Sequence, residues 1–243
     1  MTISGYRDLA AHLRVAIQDG TYPPDTTLPK QADLAAEYEV NIKTVRQAVG
    51  LLEAEGLVTP VRRRGTVVRT RPPIQYLGIG RYSKRRWKFG DTTADHDQSA
   101  AVQLVPADPE VAEAFGIEPG ADVYQRSRLV SDRSQPTHTL TSYYLPAHVA
   151  DTPLADPSHA ATGPVGGFAV LTLQGLEPDH MSETISTRMP TPEEVEALNL
   201  PVGEPVMVLA RKAWTADNTL VEFTHGVYAG SRFAWNYEFA LPD

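Results

Sequence analysis

"NIKTVRQAVGLLEAEGLVTPVRRRGTVV" occupies residues 41–68 and carries five Lys/Arg against two Asp/Glu, in a chain whose formal net charge is −8. Its first half has helical periodicity. Val45, Ala48, Val49 and Leu52 fall at i, i+3, i+4 and i+7, the spacing of one apolar helix face. Lys43, Arg46, Gln47 and Gly50 repeat that spacing on the opposite face. Asn41 stands where an N-cap is needed, and Gly56 where the helix must stop. Residues 57–61 and 66–69 then read as two short strands about the turn Arg62-Arg63-Arg64-Gly65, a hairpin with three consecutive arginines at its tip.

Upstream, Tyr6, Leu9, Leu13, Ala16 and Ile17 mark the apolar face of a first helix. Gly20 closes it, and Tyr22-Pro23-Pro24 prevents its continuation. A second short helix covers residues 31–38, with Leu34, Ala35 and Tyr38 inward, and breaks at Glu39-Val40. Two helices across a tight break, the second with a long cationic outer face, followed by a basic hairpin, describe a winged helix-turn-helix. A polar helix face or a basic hairpin tip alone is more often a solvated surface. Their occurrence together and in this order points to duplex DNA. Each neutralised phosphate releases condensed counterions and gives affinity, while Arg and Gln on the helix have the donor geometry to read base edges.

The rest of the chain is different. Residues 1–75 hold ten Lys/Arg and eight Asp/Glu, and residues 76–243 hold twelve and twenty-two. A basic patch on an otherwise acidic chain attracts phosphate locally. The length, 243 residues, fits two modest domains. Cysteine is absent, which removes disulfides, thiolate metal sites and thiol catalysis and suits a reducing compartment. The N-terminus lacks the basic and apolar regions of a signal peptide, and no apolar run is long enough to cross a membrane. A cytoplasmic protein with no membrane partner is expected.

Arg71-Pro72-Pro73 reads as a stiff linker, giving a DNA-binding domain over 1–70, a linker over 71–75 and a second domain over 76–243. The second domain contains an internal repeat. Residues 108–132 and 191–215 match at an offset of 83, through Pro109/Pro192, Glu110/Glu193, Glu113/Glu196, Ala114/Ala197, Gly120/Gly203, Val123/Val206 and Arg128/Arg211. Each copy reads as a capped short helix with Pro at N1, a Gly turn, a long strand, a polar turn and a second strand. Tyr144 and Tyr228, on the second strands, are offset by 84. Two helix-hairpin units side by side build one antiparallel sheet with helices against it, so the fold class is α+β.

On residues 220–228, alternation puts Glu222, Thr224, Gly226 and Tyr228 on one face and Val221, Phe223 and Val227 on the other. Tyr124, Arg126 and Arg128 share a face of residues 122–130. Polar strand faces more often meet solvent than ligand, but paired arginines suit a carboxylate or phosphate. The glycine-rich stretch 163–167 leaves free N–H groups at a helix start, which also suits an anion. Ser83-Lys84-Arg85-Arg86-Trp87-Lys88 is open to three readings: DNA contact, cover for an anionic effector, or a solvated loop. Asp95-His96-Asp97 reads as an exposed polar run, not a metal site. The chain has no nucleophile–His–acid set, phosphate-loop motif or cofactor signature.

Residues 6–68 resemble the DNA-binding domain of GntR-type bacterial regulators. The resemblance is carried by Leu28-Pro29, Leu34-Ala35, Thr44-Val45-Arg46-Gln47-Ala48, Leu52-Glu53-Ala54-Glu55-Gly56-Leu57-Val58 and Arg64-Gly65-Thr66-Val67-Val68. It implies that Arg46 contacts a base, normally guanine, and that Thr44 and Gly65-Thr66 touch backbone and minor groove. Lys30, Gln31, Asn41, Lys43, Gln47, Arg62, Arg63 and Arg64 complete the candidate DNA surface. The chain departs from the family at Lys30-Gln31, where Ser-Glu is usual, at Ala32, often Arg, and at Asn41-Ile42, where Ser-Arg is usual. Asn41 keeps the cap, Ile42 removes a charge, and Lys30 and Lys43 are candidates to replace the missing charges. The operator is therefore not expected to follow the family's common sequence.

Residues 75–243 resemble, more weakly, the effector-sensing (UTRA) domain of the HutC branch of that family, whose fold is shared with chorismate lyase. The resemblance implies effector contacts at Arg126, Arg128, Glu222 and Tyr228, with Arg81, Tyr82, Thr141, Tyr143, Gly167 and Thr224 as further candidates. Leu140-Thr141-Ser142 stands where an acid is common, and Gly167-Phe168-Ala169 where Ser-Leu-Tyr is usual. The implied protein is a homodimeric bacterial regulator, a repressor released from a palindromic operator by a small-molecule effector, with no cofactor. Two alternatives stay open: a lyase-like enzyme fused to a helix-turn-helix module, and a regulator whose second domain only dimerises.

Overall fold

The computed structural model describes residues 3–70, 74–85, 96–132, 135–159 and 166–239. Arg71-Pro72-Pro73, expected as a linker, Arg86-Trp87-Lys88 of the basic stretch, Asp95 and Gly163-Pro164-Val165 lie outside these residues, as do the side chains of His96 and Asp97. The chain forms two compact units, one built on residues 3–70 with 200–204 and the other on 74–199 and 205–239.

The first unit holds three helices, α1 (Tyr6–Gln18), α2 (Gln31–Glu37) and α3 (Ile42–Ala54), and a hairpin of β1 (Val58–Val61) and β2 (Gly65–Val68). Leu9, Leu13, Leu34, Val45, Ala48 and Leu52 are at most 1% exposed and form its centre, with Tyr6, Ile17, Ala35 and Tyr38 packed around them. Each of the Leu and Val side chains contributes about 1.5–3 kcal/mol on full burial. Asn41 caps α3 by accepting a 2.8 Å hydrogen bond from the Lys43 N–H. Gly56, at φ +67°, leaves the helix in the left-handed region.

In the hairpin, Val58 pairs with Val68 and Val61 with Gly65, so the turn is one residue tighter than expected. The segment before α2 also joins it. Thr27 bridges to Val67, and the Leu28 N–H donates to the Thr66 carbonyl at 2.8 Å. Gly65, at φ +98°, lies so near this segment that a Cβ there would stand 3.1 Å from Thr27 Cγ2.

The second unit contains β3 (Gln75–Leu77), β4 (His96–Pro106), α4 (Pro109–Phe115), β5 (Asp122–Asp132), β6 (Gln135–Tyr144), α5 (Pro146–Val149), α6 (Gly166–Leu173), β7 (His180–Arg188), α7 (Pro192–Ala197), β8 (Val206–Trp214), β9 (Leu220–Ala229) and β10 (Phe233–Trp235). Six strands make one antiparallel sheet in the order β4-β5-β6-β9-β8-β7. The repeat is the source of this order. Each copy is a three-strand meander with a helix, and the copies join through β6 and β9. The offsets also carry the register: Tyr124 pairs with Tyr144, and their images Met207 and Tyr228 pair likewise. The first strand of each copy, β4 or β7, obeys the same offset, for Val102 pairs with Arg126 and Ile185 with Leu209. The repeat is thus one strand longer than its sequence identities.

Both sheet faces are covered. Val111 and Ala112 of α4 pack with Val123, Tyr143 and Phe223 on one face. On the other, Phe168, Val170 and Leu171 of α6 pack with Tyr144, Leu154 and Ala213. Further along that second face, Tyr228 stacks on His138 at 4.5 Å and meets Phe233 and Trp235 edge-on at 5.0 and 4.9 Å. Gly226 leaves the room for this cluster, because a Cβ there would fall 2.7 Å from Tyr228 Cε2 and 3.0 Å from Leu140 Cδ2. Gly226→Ala is expected to destabilise the second unit by about 1–3 kcal/mol through overpacking, read as a lower denaturant midpoint.

Candidate nucleic-acid interface and effector pocket

The outer face of α3 follows from its inner face. With Val45, Ala48, Val49 and Leu52 buried, Lys43, Arg46, Gln47 and Gly50 are exposed, and Thr44 is half-buried. Arg46 Nε donates to Gln31 Oε1 at 3.3 Å, so the first residue of α2 touches the residue best suited to read guanine. Asn41 uses its side-chain oxygen as the cap. Lys30, Gln31, Arg63, Arg64, Gly65 and Thr66 line one open groove of about 620 Å³ between the start of α2 and the hairpin, with Asp33 as its acidic member. Arg62 and Arg63 are exposed at the hairpin tip, and Arg63 takes a left-handed turn conformation at φ +67°. Arg64 donates to the Asp25 carbonyl, which fixes that arginine against the segment preceding α2.

The second unit has a smaller pocket, about 190 Å³, lined by Arg81, Tyr82, Arg128, Gly166, Gly167, Phe168, Arg211 and Glu222. Its floor is the middle of the sheet. Ser142 and Thr224 face each other across β6 and β9, their hydroxyls 2.8 Å apart. Arg128 reaches this point from β5 and donates to Ser142 Oγ at 2.9 Å. Arg211, its image under the repeat, reaches it from β8. It donates to Glu222 Oε1 at 2.5 Å and, more loosely, to Thr224 Oγ1 at 3.5 Å. Tyr144 donates to the other Glu222 oxygen at 2.6 Å. The Nε atoms of Arg128 and Arg211 are buried with no hydrogen-bond partner among the described residues, two orphaned cationic donors beside a pocket.

Glu222 is 2% exposed. Burial pushes its pKa up, but Arg211, the Tyr144 hydroxyl and Arg128 together outweigh burial and hold the carboxyl below the ordinary glutamate range. Burial and the Glu222 charge in turn raise the Tyr144 phenol and keep it a donor. Arg126, on the same face as Arg128, is buried, and burial followed by the charge of Arg128 lowers its pKa. At the pocket's rim, Arg81 Nη2 contacts both Glu183 oxygens at 2.7 Å, and the hydroxyls of Tyr82 and Tyr237 donate to the same carboxylate. The Arg81 guanidinium lies 4.5 Å from the Tyr82 ring centroid, and that of Arg211 lies 5.1 Å from the Phe168 ring centroid. Gly167 allows α6 to start against the site: a Cβ there would stand 3.1 Å from the Tyr144 hydroxyl.

Of the ten candidate effector residues, Arg81, Tyr82, Arg128, Gly167 and Glu222 line the pocket. Thr224 lies on its floor, and Arg126 is buried on the same sheet face. Tyr228 belongs to the aromatic cluster further along that face. Thr141 and Tyr143 are not brought to the site. Arg128 pairs with Leu140 and Arg126 with Ser142, so the odd-numbered residues of β6 point the other way. Tyr143 packs under α4 with Phe223, and the Thr141 hydroxyl lies 3.4 Å from that of Ser127. Arg211, Tyr144, Phe168 and Glu183 also reach the site and were not among the effector contacts named from sequence. For Arg211 a signal existed, since the repeat aligns it with Arg128.

The Glu222–Arg211 pair makes stability depend on pH. A carboxylate whose folded pKa lies below its unfolded value stabilises fully above the unfolded value, and that contribution is lost as pH falls through the folded one. Glu222→Gln should therefore destabilise the second unit at pH 7 by about 3–5 kcal/mol, because Arg211 is left buried without its counter-charge. The variant should also lose part of the decline in stability expected of the parent below about pH 4.5, as measured by denaturant melts across pH.

Comparison with known proteins agrees with this division. The family described as bacterial regulatory proteins, gntR family, matches residues 5–68, and the UTRA domain matches residues 98–234. The HTH-type transcriptional regulator SCO4628 of Streptomyces coelicolor is 45% identical, with 98% of this chain and 93% of that protein covered. The HTH-type transcriptional repressor PhnF of Mycolicibacterium smegmatis is 28% identical over 85% of this chain and 82% of its own length. A crystal structure described as a GntR-family transcriptional regulator, 26% identical, superposes with a TM-score of 0.68 over 98% of both chains. These relatives are described as transcriptional regulators. The chain belongs to the GntR family of bacterial regulators, as a DNA-binding transcriptional regulator with a UTRA domain.

Proposed function

We propose that this regulator is a repressor that binds a palindromic operator as a homodimer and is released by an anionic small molecule in the pocket of its second domain. In this reading residues 1–70 read DNA, residues 71–75 link, and residues 76–243 sense the effector and dimerise. The dimer follows from the way helix-turn-helix proteins use two half-sites, one per protomer. The surface around Arg46, Gln47, Lys30 and the hairpin arginines supplies phosphate contacts and base readout.

One observation carries the anionic reading. Arg81, Arg126, Arg128 and Arg211 gather around two carboxylates, Glu183 and Glu222, so among the described residues of this site guanidinium groups exceed carboxylates two to one. Arg128 and Arg211 each keep an unused buried Nε–H. A phosphate or carboxylate between them supplies the missing acceptor and the missing negative charge. Such a ligand acts as an inducer only if it binds the arrangement incompetent for DNA more tightly than the competent one.

A thermal-shift screen of phosphorylated and carboxylated metabolites tests this reading, because a ligand at a hundred times its Kd adds about 2.7 kcal/mol of stability. A hit should release the protein from DNA. Arg128→Ala should bind the same DNA with affinity within about twofold of the parent, show no thermal shift and no release. Retained release in Arg128→Ala would remove the pocket assignment. Arg46→Ala should abolish sequence preference while leaving melting and the thermal shift unchanged, measured by competition between specific and scrambled duplexes.

A further inference from the structure

The DNA-facing side of α3 contains one side chain that charge does not explain. Ile42 is the first residue of α3, directly after the Asn41 cap, and it is 43% exposed. The core of the first unit gathers Val40, Val45, Val49 and Leu51 from the same stretch of chain but not Ile42. A single exposed aliphatic residue on a surface is ordinary. Ile42 differs in its setting. It is followed by exposed Lys43, stands one helical turn before exposed Arg46, and is held by a cap whose geometry is fixed by the 2.8 Å Asn41–Lys43 hydrogen bond. Its β-branched side chain is restricted at χ1, so it presents a shaped apolar surface.

When a recognition helix enters the major groove, its N-terminal residues meet base edges. In that groove the apolar feature is the 5-methyl group of thymine, and apolar side chains are its natural contact. The phosphate groups themselves offer an exposed isoleucine no matching partner, because their oxygens are charged acceptors. The surrounding lysine and arginines make the duplex the one partner that both charge and position favour. We infer that Ile42 is a specificity-determining residue that packs against a thymine methyl in each half-site. The chain thereby exchanges the charge usual at this position for discrimination in favour of a T·A pair. This inference rests on α3 lying in the major groove, and the test separates the two claims.

Duplexes are selected from a random pool with the full-length wild-type protein, and each thymine of the enriched half-site is replaced in turn by deoxyuridine, which removes only the methyl group. One position per half-site should lose about fourfold in affinity, the size of one buried methyl contact. Ile42→Ala should bind the thymine and uracil duplexes equally, while Ile42→Val should retain a penalty. Both variants should melt as the wild type does, since the side chain lies outside the core. An unchanged uracil penalty in Ile42→Ala, or no uracil-sensitive position in the wild-type site, would overturn the inference. Placement of α3 in the groove is tested separately by Arg46→Ala: if that variant keeps full sequence preference, the docking itself is wrong, whatever the uracil result.

Discussion

Everything in the first unit depends on one constraint: α3 has room for a single buried stripe. Val45, Ala48, Val49 and Leu52 fill the centre between α1, α2 and the hairpin, and none of them can turn outward without opening a cavity. Lys43, Arg46 and Gln47 are therefore fixed outward by packing that has nothing to do with DNA. The Asn41 cap sets where the helix begins, and so which residues stand at its leading end. A short helix held this way is a rigid presenter of side chains, which is what discrimination between base edges requires.

The second unit places charge where a core would normally be. Its sheet is built from two related halves that meet at Ser142 and Thr224, and each half sends one arginine to that meeting point. Burying such groups costs free energy, and the cost is tolerable only where partners are well aligned. Glu222 supplies one carboxylate, to which Arg211 donates and whose other oxygen Tyr144 locks, while Arg128 donates to Ser142 Oγ. The two arginines are thus related in sequence but unequal in environment. Arg211 is paired directly with a carboxylate of the protein, whereas Arg128 donates to a hydroxyl.

The fold was largely legible because each local signal agreed with the next. The apolar stripes, the Asn41 cap, the glycine stops and the Pro-containing helix starts mark the elements directly, and the repeat offset carries the strand pairing down to register. What was missed has physical reasons. The segment around Thr27 joins the hairpin through backbone hydrogen bonds, which leave little trace in side-chain pattern. Thr141 and Tyr143 rested on the resemblance alone, and the pairing of Arg126 with Ser142 and of Arg128 with Leu140 turns them to the opposite face of the sheet. Glu183 lies on an edge strand whose residues alternate between intermediate and exposed, giving no hint that it meets Arg81, some hundred residues earlier in sequence. Long-range ion pairs of this kind become visible only when the topology is known.

The account as a whole requires that the first unit recognise a duplex by sequence and use its basic surface to do so. The most direct measurement is the salt dependence of binding to an enriched duplex and to a shuffled duplex of the same composition. The account predicts that the enriched duplex binds at least a thousandfold more tightly at physiological salt, and that log K for both duplexes falls linearly with log salt. Equal affinity for the two duplexes across the salt range would contradict it.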